Sequence, residues 1–229
     1  MDLYEQKAKS LPQKTVIHIL ELVLICISYW TLFSSGGPWL EQHLHIHNST
    51  VGIDRRIIIF TFNCIIFFRI AYSTFFLVKR KIGWGESISI ALAFGLYYIG
   101  FSLFVLPKSN PIDGLDYFAL LLFIVGCILN TGSEIMRNRW KKKPENQGKI
   151  YTLGFFKYSR HINYFGDLLW VIAYTVITRN WFAISIPLFL FFFFAFYNAP
   201  LLDKYLQKKY GKGYEDYAKK TKMLIPFIY

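Results

Sequence analysis

The sequence predicts an all-α, polytopic membrane protein of about six transmembrane helices, with a C-terminal helical hairpin and a polar loop and tail on one membrane face. Two observations predict it. Of 229 residues, 54% are hydrophobic and only 17% are charged, an apolar excess beyond that of ordinary soluble domains. The second is segregation: the formal net charge of +12 gathers in blocks between apolar runs, and a helical span needs roughly 20 mostly apolar residues. Nucleic acid is set aside as a partner, because no basic face is free of spanning sequence.

The first apolar run covers Thr15 to Phe33 and the second Ile57 to Val78. The third runs from Ser87 to Leu106 and is closed by Pro107, which cannot continue a helix. The fourth runs from Tyr117 to Ile135 and is broken by the basic block Arg137–Lys143 before Pro144. Two more runs, Phe165–Thr178 and Trp181–Tyr197, are separated only by Arg179 and Asn180. Antiparallel helices can be joined that tightly, which gives the hairpin. From Asp203 the chain turns polar and amphipathic, and it closes on Ile225, Pro226, Phe227, Ile228 and Tyr229.

Lys and Arg collect in the N-terminal segment, at Lys79–Lys81, at Arg137–Lys143 and in the tail. Six spans place all four blocks on one side, so both termini are expected in the cytoplasm, from a bacterial inner membrane or the endoplasmic reticulum. Arg55 and Arg56 are a minor exception. No small-residue cleavage site follows the first apolar run, so no removable signal peptide is expected. Cys26, Cys64 and Cys127 fall inside apolar runs without metal-type spacing and read as small core residues. The chain divides into a four-helix lipid-pocket region, 1–136, and a cofactor-binding region, 137–229.

The chemistry-bearing stretch is 158–167. Within it Tyr158, Arg160, His161, Asn163, Tyr164 and Asp167 offer a guanidinium, an imidazole, an amide, a carboxylate and phenols, and Gly166 permits close approach. It follows a lysine-rich loop, 141–149, that ends in Lys149. Cations beside an apolar cavity suit phosphates or a carboxylate, and an arginine fork can grip either in two places. Asn163 can pair with an amide or hydroxyl, the tyrosines can flank a flat ring, and His161 can orient a ligand or pass a proton. Any one of these residues alone reads as an interfacial anchor; the whole set reads as a site.

On these residues the region 137–229 resembles the C-terminal half of a superfamily of membrane enzymes. It unites steroid 5α-reductases, sterol C14- and Δ7-reductases and isoprenylcysteine carboxyl methyltransferases. The resemblance is nearest to a bacterial branch with a steroid 5α-reductase-like C-terminal domain. The hallmark Arg-His-Pro-x-Tyr-x-Gly is matched by Arg160, His161, Tyr164 and Gly166. A second element is matched by Asp203, Lys209, Tyr210, Gly211, Tyr214, Tyr217 and the closing Ile225-Pro226. Ile162 stands where the proline is usual, so the Arg-His geometry must be kept by other means. Leu201 and Leu202 stand where sterol reductases carry Arg-Asp.

The resemblance implies one of two chemistries. Reductases of this kind read Asn-Tyr-x-Gly-Asp after the histidine, as Asn163 to Asp167 do here, and the basic loop suits the phosphates of NADPH. The expected activity is therefore NADPH-dependent reduction of a C=C bond in a lipophilic, steroid- or isoprenoid-like substrate. The alternative is an S-adenosylmethionine-dependent methyltransferase of a lipid or lipidated group. The expected partners are the lipophilic substrate and membrane lipids, with no obligate protein partner. The expected cofactor-binding residues are Lys149, Tyr158, Arg160, His161, Asn163, Tyr164, Gly166, Asp167, Asp203, Tyr210, Tyr214 and Tyr217. The resemblance also calls for an acid and a tyrosine. Glu86 with Tyr97 are the catalytic candidates beside His161, with Tyr98 and Tyr72 as further tyrosines, and Glu86 equally suits a helix N-terminus.

Other polar residues have simpler readings. His18 and Glu21 share a face of the first span and suit an interhelical contact more than a proton relay. Asn63 and Arg69 line a cavity, or Arg69 snorkels. Asn130 and Glu134 share a face near the basic loop and meet either cofactor or a neighbouring helix. His43, His45 and His47 alternate along the first external loop, but without cysteine support no metal is expected there. Asn48-Ser49-Thr50 fits a glycosylation acceptor, and Phe191–Phe194 reads as span packing.

Overall fold

The computed structural model describes residues 8–46, 48–49 and 53–229. Among these residues every regular element is a helix, and an isolated parallel bridge pairs Ser159 with Lys222. Five helices are long and apolar enough to cross a membrane: α1 (Leu11–Phe33), α3 (Ile53–Leu77), α4 (Trp84–Val105), α5 (Gly114–Lys141) and α7 (Trp181–Tyr210). A shorter apolar helix, α6 (Ile162–Thr178), is the short hairpin arm. Two polar-edged helices complete the set, α2 (Gly36–Leu44) and α8 (Lys212–Lys220). The chain is thus a polytopic membrane protein, as its hydropathy predicts.

Local sequence explains the ends. Pro12 sits in the first turn of α1, where a missing N–H costs nothing. Arg179 adopts φ 48° to reverse the chain after α6, and the Asn180 side chain accepts from the Phe182 N–H at 3.0 Å to open α7. Gly211, at φ 51°, separates α7 from α8. Two features are absent from the hydropathy pattern. Helix α2 forms inside the loop after α1. Four of the spanning helices also contain a π-helical stretch: Ser73–Leu77 in α3, Leu96–Gly100 in α4, Ile128–Gly132 in α5 and Phe194–Asn198 in α7.

The chain packs as two compact units. The first comprises 3–121 and 171–186, and the second 122–170 and 187–229. In the first, α1 packs against α3 and α4. Its centre is a chain of polar groups whose bonds are all made internally. The Tyr174 hydroxyl donates to Asn63 Oδ1 at 2.9 Å, and Asn63 Nδ2 donates to Ser28 Oγ at 2.9 Å. Ser28 and Ser102 meet at 2.8 Å, and Ser102 passes its proton to the Tyr98 carbonyl at 2.6 Å. Ser28 is therefore the donor of that pair. A fully satisfied polar chain of this kind holds spans together where lipid offers no alternative partner. Asn63 is a structural linchpin here.

Arg55 and Arg56, the exceptions to the charge pattern, are buried structural residues. Arg55 reaches the Asp116 carboxylate through Nε at 3.0 Å and Nη2 at 2.8 Å. It also donates to the carbonyls of Asn110 and Pro111 at 2.9 and 3.0 Å. Arg56 gathers the carbonyls of Leu32, Ser49 and Leu106, and the Asn48 side chain at 2.8 Å. The Arg55 charge is neutralised by Asp116 and, among the described residues, the Arg56 charge is met by carbonyl and amide oxygens alone.

His43 stacks on Trp39 at 4.8 Å and donates through Nδ1 to the Trp39 carbonyl at 3.0 Å. His45 ends α2 at φ 56°. His47 and Thr50 lie outside the described residues, and among the described residues no group of three His, Cys, Asp or Glu could hold a metal ion. Cys26 is exposed on α1 and faces outward, not into a core.

Asp116 is fully buried, so losing Arg55 strands a carboxylate. Arg55→Met is expected to cost about 3 kcal/mol, the low end for breaking a buried pair, because Arg179 stands 3.2 Å from Asp116. Adding Asp116→Leu should recover most of that loss. Reversible unfolding in mixed micelles measures both.

Candidate functional site

The second unit gathers Arg160, His161 and Tyr214 around one carboxylate, Asp203 on α7. His161 Nε2 meets Asp203 Oδ1 at 2.7 Å, and Arg160 Nη2 donates to Asp203 Oδ2 at 3.0 Å. Arg160 Nη1 donates to the carbonyls of Ala218 and Thr221 at 3.1 and 2.5 Å. The guanidinium fork is thus spent on Asp203 and the tail, leaving Nε, which is buried and has no partner. A two-point grip on a ligand phosphate, the role first expected of Arg160, is replaced by a clamp that fixes the tail.

The missing proline is compensated by backbone pairing. Arg160 N donates to the Lys222 carbonyl at 2.9 Å and His161 N to the Met223 carbonyl at 3.0 Å. Ser159 Oγ reaches the carbonyls of Met223 and Leu224 at 3.0 and 2.8 Å. Ile162 is itself buried in a small cluster with Tyr151 and Phe156. These contacts lock φ and ψ at the motif as a proline ring would lock φ alone. The His161 carbonyl then accepts from the N–H groups of Tyr164 and Phe165, which starts α6.

An aromatic stack continues from the imidazole. Tyr164 lies parallel to His161 at 5.2 Å and to Phe194 at 4.6 Å. Phe194, read from the sequence as ordinary packing, is therefore a wall of the site. Its position in a phenylalanine run gave no signal of this.

The two tail tyrosines are held neutral. Burial pushes the Tyr214 phenol well above the usual tyrosine range, and the neighbouring Asp203 carboxylate pushes it the same way. Burial likewise raises Tyr217, whose hydroxyl donates to the Phe156 carbonyl at 2.5 Å.

The remaining candidates are placed around this clamp. Gly166 lies where α6 crosses α5: a Cβ there would fall 2.5 Å from Asn130 N and 2.7 Å from Gly126 O. Asn130 Nδ2 donates to the Asn163 carbonyl at 3.0 Å, which pins the two helices at that crossing. Asp167 accepts from the Trp170 indole at 2.7 Å. Glu134 pairs with Arg137. Lys149 is exposed, and its carbonyl accepts from Lys141, whose ammonium also donates to the Tyr210 hydroxyl at 2.8 Å. Tyr158 is exposed and meets Phe227 edge-on at 5.7 Å.

Two surface pockets flank the motif. One, of about 310 Å³, is lined by Arg160, Lys219, Lys220 and Lys222 among others. The other, of about 390 Å³, is apolar and lined by Leu129, Phe155, Tyr158, Ile162, Pro226 and Phe227.

The catalytic candidates of the first unit are not brought together. Glu86 forms an ion pair with Arg80, with Arg80 Nη1 at 2.8 Å from Glu86 Oε2. Tyr97 stands eleven residues further along α4, about 16 Å at the helical rise, stacked on Phe101 at 6.5 Å. It is the neighbouring Tyr98 that is fully buried.

The chain belongs to the DUF1295 family, a family described as a protein of unknown function, which matches residues 87–221. This is the steroid 5α-reductase-like family that its motifs resemble. Over 123 residues it is 33% identical to 3-oxo-5-alpha-steroid 4-dehydrogenase 2 of Rattus norvegicus, covering 54% of this chain and 46% of that one. It is 28% identical over 130 residues to Delta(14)-sterol reductase erg24 of Schizosaccharomyces pombe, covering 48% and 30%. It is 25% identical over 145 residues to a probable protein-S-isoprenylcysteine O-methyltransferase of Oryza sativa subsp. indica, covering 61% and 75%. The chain thus spans less than half the length of the two reductases.

Gly166→Ala forces the α5 and α6 backbones apart and is expected to cost about 1–3 kcal/mol. Gly132→Ala, whose added Cβ would meet only Ile128 Cγ2 at 3.7 Å, should cost nothing by the same unfolding assay. Arg160→Lys removes the fork while keeping the charge. It should raise amide exchange across 218–224 several-fold, whereas Lys219→Ala should not.

Proposed function

We propose that this chain is an integral-membrane, NADPH-dependent reductase of a C=C bond in a lipophilic substrate. What carries the reading is the clamp on Asp203, which presents the Asn163–Asp167 stretch beside a dense set of cations. Lys142, Lys143 and Lys149 are exposed on the loop, and the tail adds the lysine-lined pocket at Arg160. Phosphate groups suit such a donor set, and S-adenosylmethionine has none. The donor chemistry therefore fits a phosphorylated dinucleotide.

Lys149, the loop lysines and Tyr210 would hold its phosphates and ribose. NADPH, when bound, supplies the hydride. The protein's own part is to order the tail through Arg160, to keep Tyr214 and Tyr217 neutral, and to fix the imidazole through Asp203. An aspartate holding one ring nitrogen sets the orientation of a histidine. The reading places the termini, the 137–149 loop and the tail on the cytoplasmic side, where a soluble nucleotide is available.

One observation favours a second reading, a membrane methyltransferase. The rice relative is the one of the three whose length this chain largely covers, at 75%. Thermal denaturation in detergent separates the two. NADPH at a hundredfold excess over its Kd should stabilise the protein by about 2.7 kcal/mol, with NADH weaker and S-adenosylmethionine without effect. Stabilisation by S-adenosylmethionine alone would replace the reductase reading with the methyltransferase.

A further inference from the structure

Two hollows of opposite character share the end of the tail in the second unit. Lys222 and Ile228 line the charged one, with Arg160, Lys219 and Lys220. Pro226 and Phe227, which lie between them in the chain, line the apolar one with Leu129, Tyr158 and Ile162. Lys219, Lys220 and Lys222 are all exposed. The segments 146–166 and 217–229 that build this surface carry Lys149, Lys157, Arg160 and those three lysines, but no aspartate or glutamate. The local charge is therefore of one sign.

Between the hollows the chain holds apolar side chains outward. Phe227 is 77% exposed and Ile228 73%. The turn that carries them is closed by its own backbone. The N–H groups of Leu224 and Ile225 donate to the Tyr229 carbonyl oxygen at 2.7 Å, and those of Ile228 and Tyr229 to the Ile225 carbonyl at 3.1 Å. Phe227 adopts φ 66°, a left-handed conformation that suits glycine and costs a bulky residue about 1–3 kcal/mol. A strained turn that exposes two large apolar groups beside three lysines gains nothing from water. At a membrane surface the same turn is a wedge: apolar groups enter the acyl boundary, and lysines attract anionic headgroups.

Depth supports this source of the anion. Leu129 belongs to the apolar run of the spanning helix α5, six positions before that run ends at Ile135. One wall of the apolar hollow is thus part of a span, whereas the lysines belong to the polar tail. A free phosphate would use the charged hollow alone, and a neutral lipid the apolar one alone. An anionic lipid uses both.

We infer that the tail between Lys219 and Tyr229 forms an anionic-phospholipid site. The lipid phosphate lies against Lys219, Lys220 and Lys222, and an acyl chain covers Phe227 and enters the hollow beside Leu129 and Ile162. Lys157, whose ammonium stands over the Tyr158 ring at 4.6 Å, adds charge at the mouth of the apolar hollow. The site is independent of the reductase reading, which gives the nucleotide phosphates to the loop lysines and Tyr210.

Equilibrium binding of radiolabelled dioleoylphosphatidylglycerol to the full chain in neutral detergent tests this. Dioleoylphosphatidylcholine, which has the same chains, should compete about tenfold or more less well, and inorganic phosphate should not displace the label. Lys219→Gln with Lys222→Gln should weaken binding about thirtyfold, the worth of two lysines at an anionic surface. Lys79→Gln with Lys81→Gln, which removes the same charge from the first unit, should leave it unchanged. Phe227→Gly suits the backbone of the turn and should still weaken binding about tenfold, because the covered ring is lost. Equal competition by the two lipids, unchanged affinity in the folded tail variants, or an equal loss in the Lys79 and Lys81 variant would overturn the inference. Displacement by inorganic phosphate would reduce the site to one for a free anion and overturn it too. If NADPH displaces the lipid, the pocket belongs to the nucleotide, and the lipid site fails while the reductase reading stands. If the lipid binds as described and NADPH does not bind at all, the lipid site stands and the reductase reading fails.

Discussion

The second unit depends on the placement of one carboxylate. Asp203 takes the His161 ring on one oxygen and the Arg160 guanidinium on the other, with Tyr214 buried alongside. The Asp203 side chain is 17% exposed, and removing either partner would leave a part-buried charge less well compensated. That pairing ties α7 to the segment before α6 and, through the second arm of Arg160, to the carbonyls of Ala218 and Thr221. The tail has no spanning helix to hold it in place. Its position is set by arginine bonds, four backbone or hydroxyl contacts from 159–161, and the Tyr217–Phe156 bond. Charge here serves geometry first, and any ligand meets a surface already arranged.

The first unit handles its polar groups differently. Its core carries serine, asparagine and tyrosine groups bonded in series, and these behave as structural glue. On the same helix α1, half a dozen residues towards its start, the bonding is incomplete. The contrast is informative because the two sets share helices and solvent conditions. Where every donor finds an acceptor, removing a ligand changes nothing. Single buried atoms of His18, Glu21, Arg56, Ser73 and Tyr98 lack a hydrogen-bond partner.

Much of this was legible in the sequence, and the reasons differ by feature. The spanning helices were readable because lipid leaves only one solution for a long apolar run, and most of their ends fall within a few residues of the hydropathy breaks, but α7 continues thirteen residues past the predicted Tyr197, to Tyr210, through the polar sequence that carries Asp203. The Arg160–Asp203 pairing was legible only as a motif, since forty-three positions of separation carry no spacing signal. Arg55 looked like a misplaced loop charge because its partner Asp116 is equally remote in the chain. Glu86 looked like an intramembrane acid because the sequence cannot show that Arg80, just beyond the preceding helix, folds back onto it. Tyr97 and Tyr98 could not be ranked by composition. Only the helix phase, which puts Ala91, Phe94, Tyr98 and Phe101 on one buried stripe, distinguishes them. The π-helical stretches were invisible because hydrophobic patterns do not resolve one extra residue in a turn.

That extra residue has a consequence at the clamp. Phe194 and Asp203 are nine residues apart on α7, and at about 100° per residue a regular α-helix would put them on opposite faces. Yet Phe194 stacks on Tyr164, Tyr164 stacks on His161, and His161 bonds to Asp203. The helix is π-wound over Phe194–Asn198, where each residue advances the spiral by less than it does in an α-turn. The stretch gives back part of the half-turn, so the aromatic and the carboxylate can address the same pair of rings. Single-turn π segments recur at functional sites because they are energetically unfavourable unless something is gained by the altered phase. Here the gain is specific: without the insertion α7 could supply either the wall of the stack or the anion that orients the histidine, but not both.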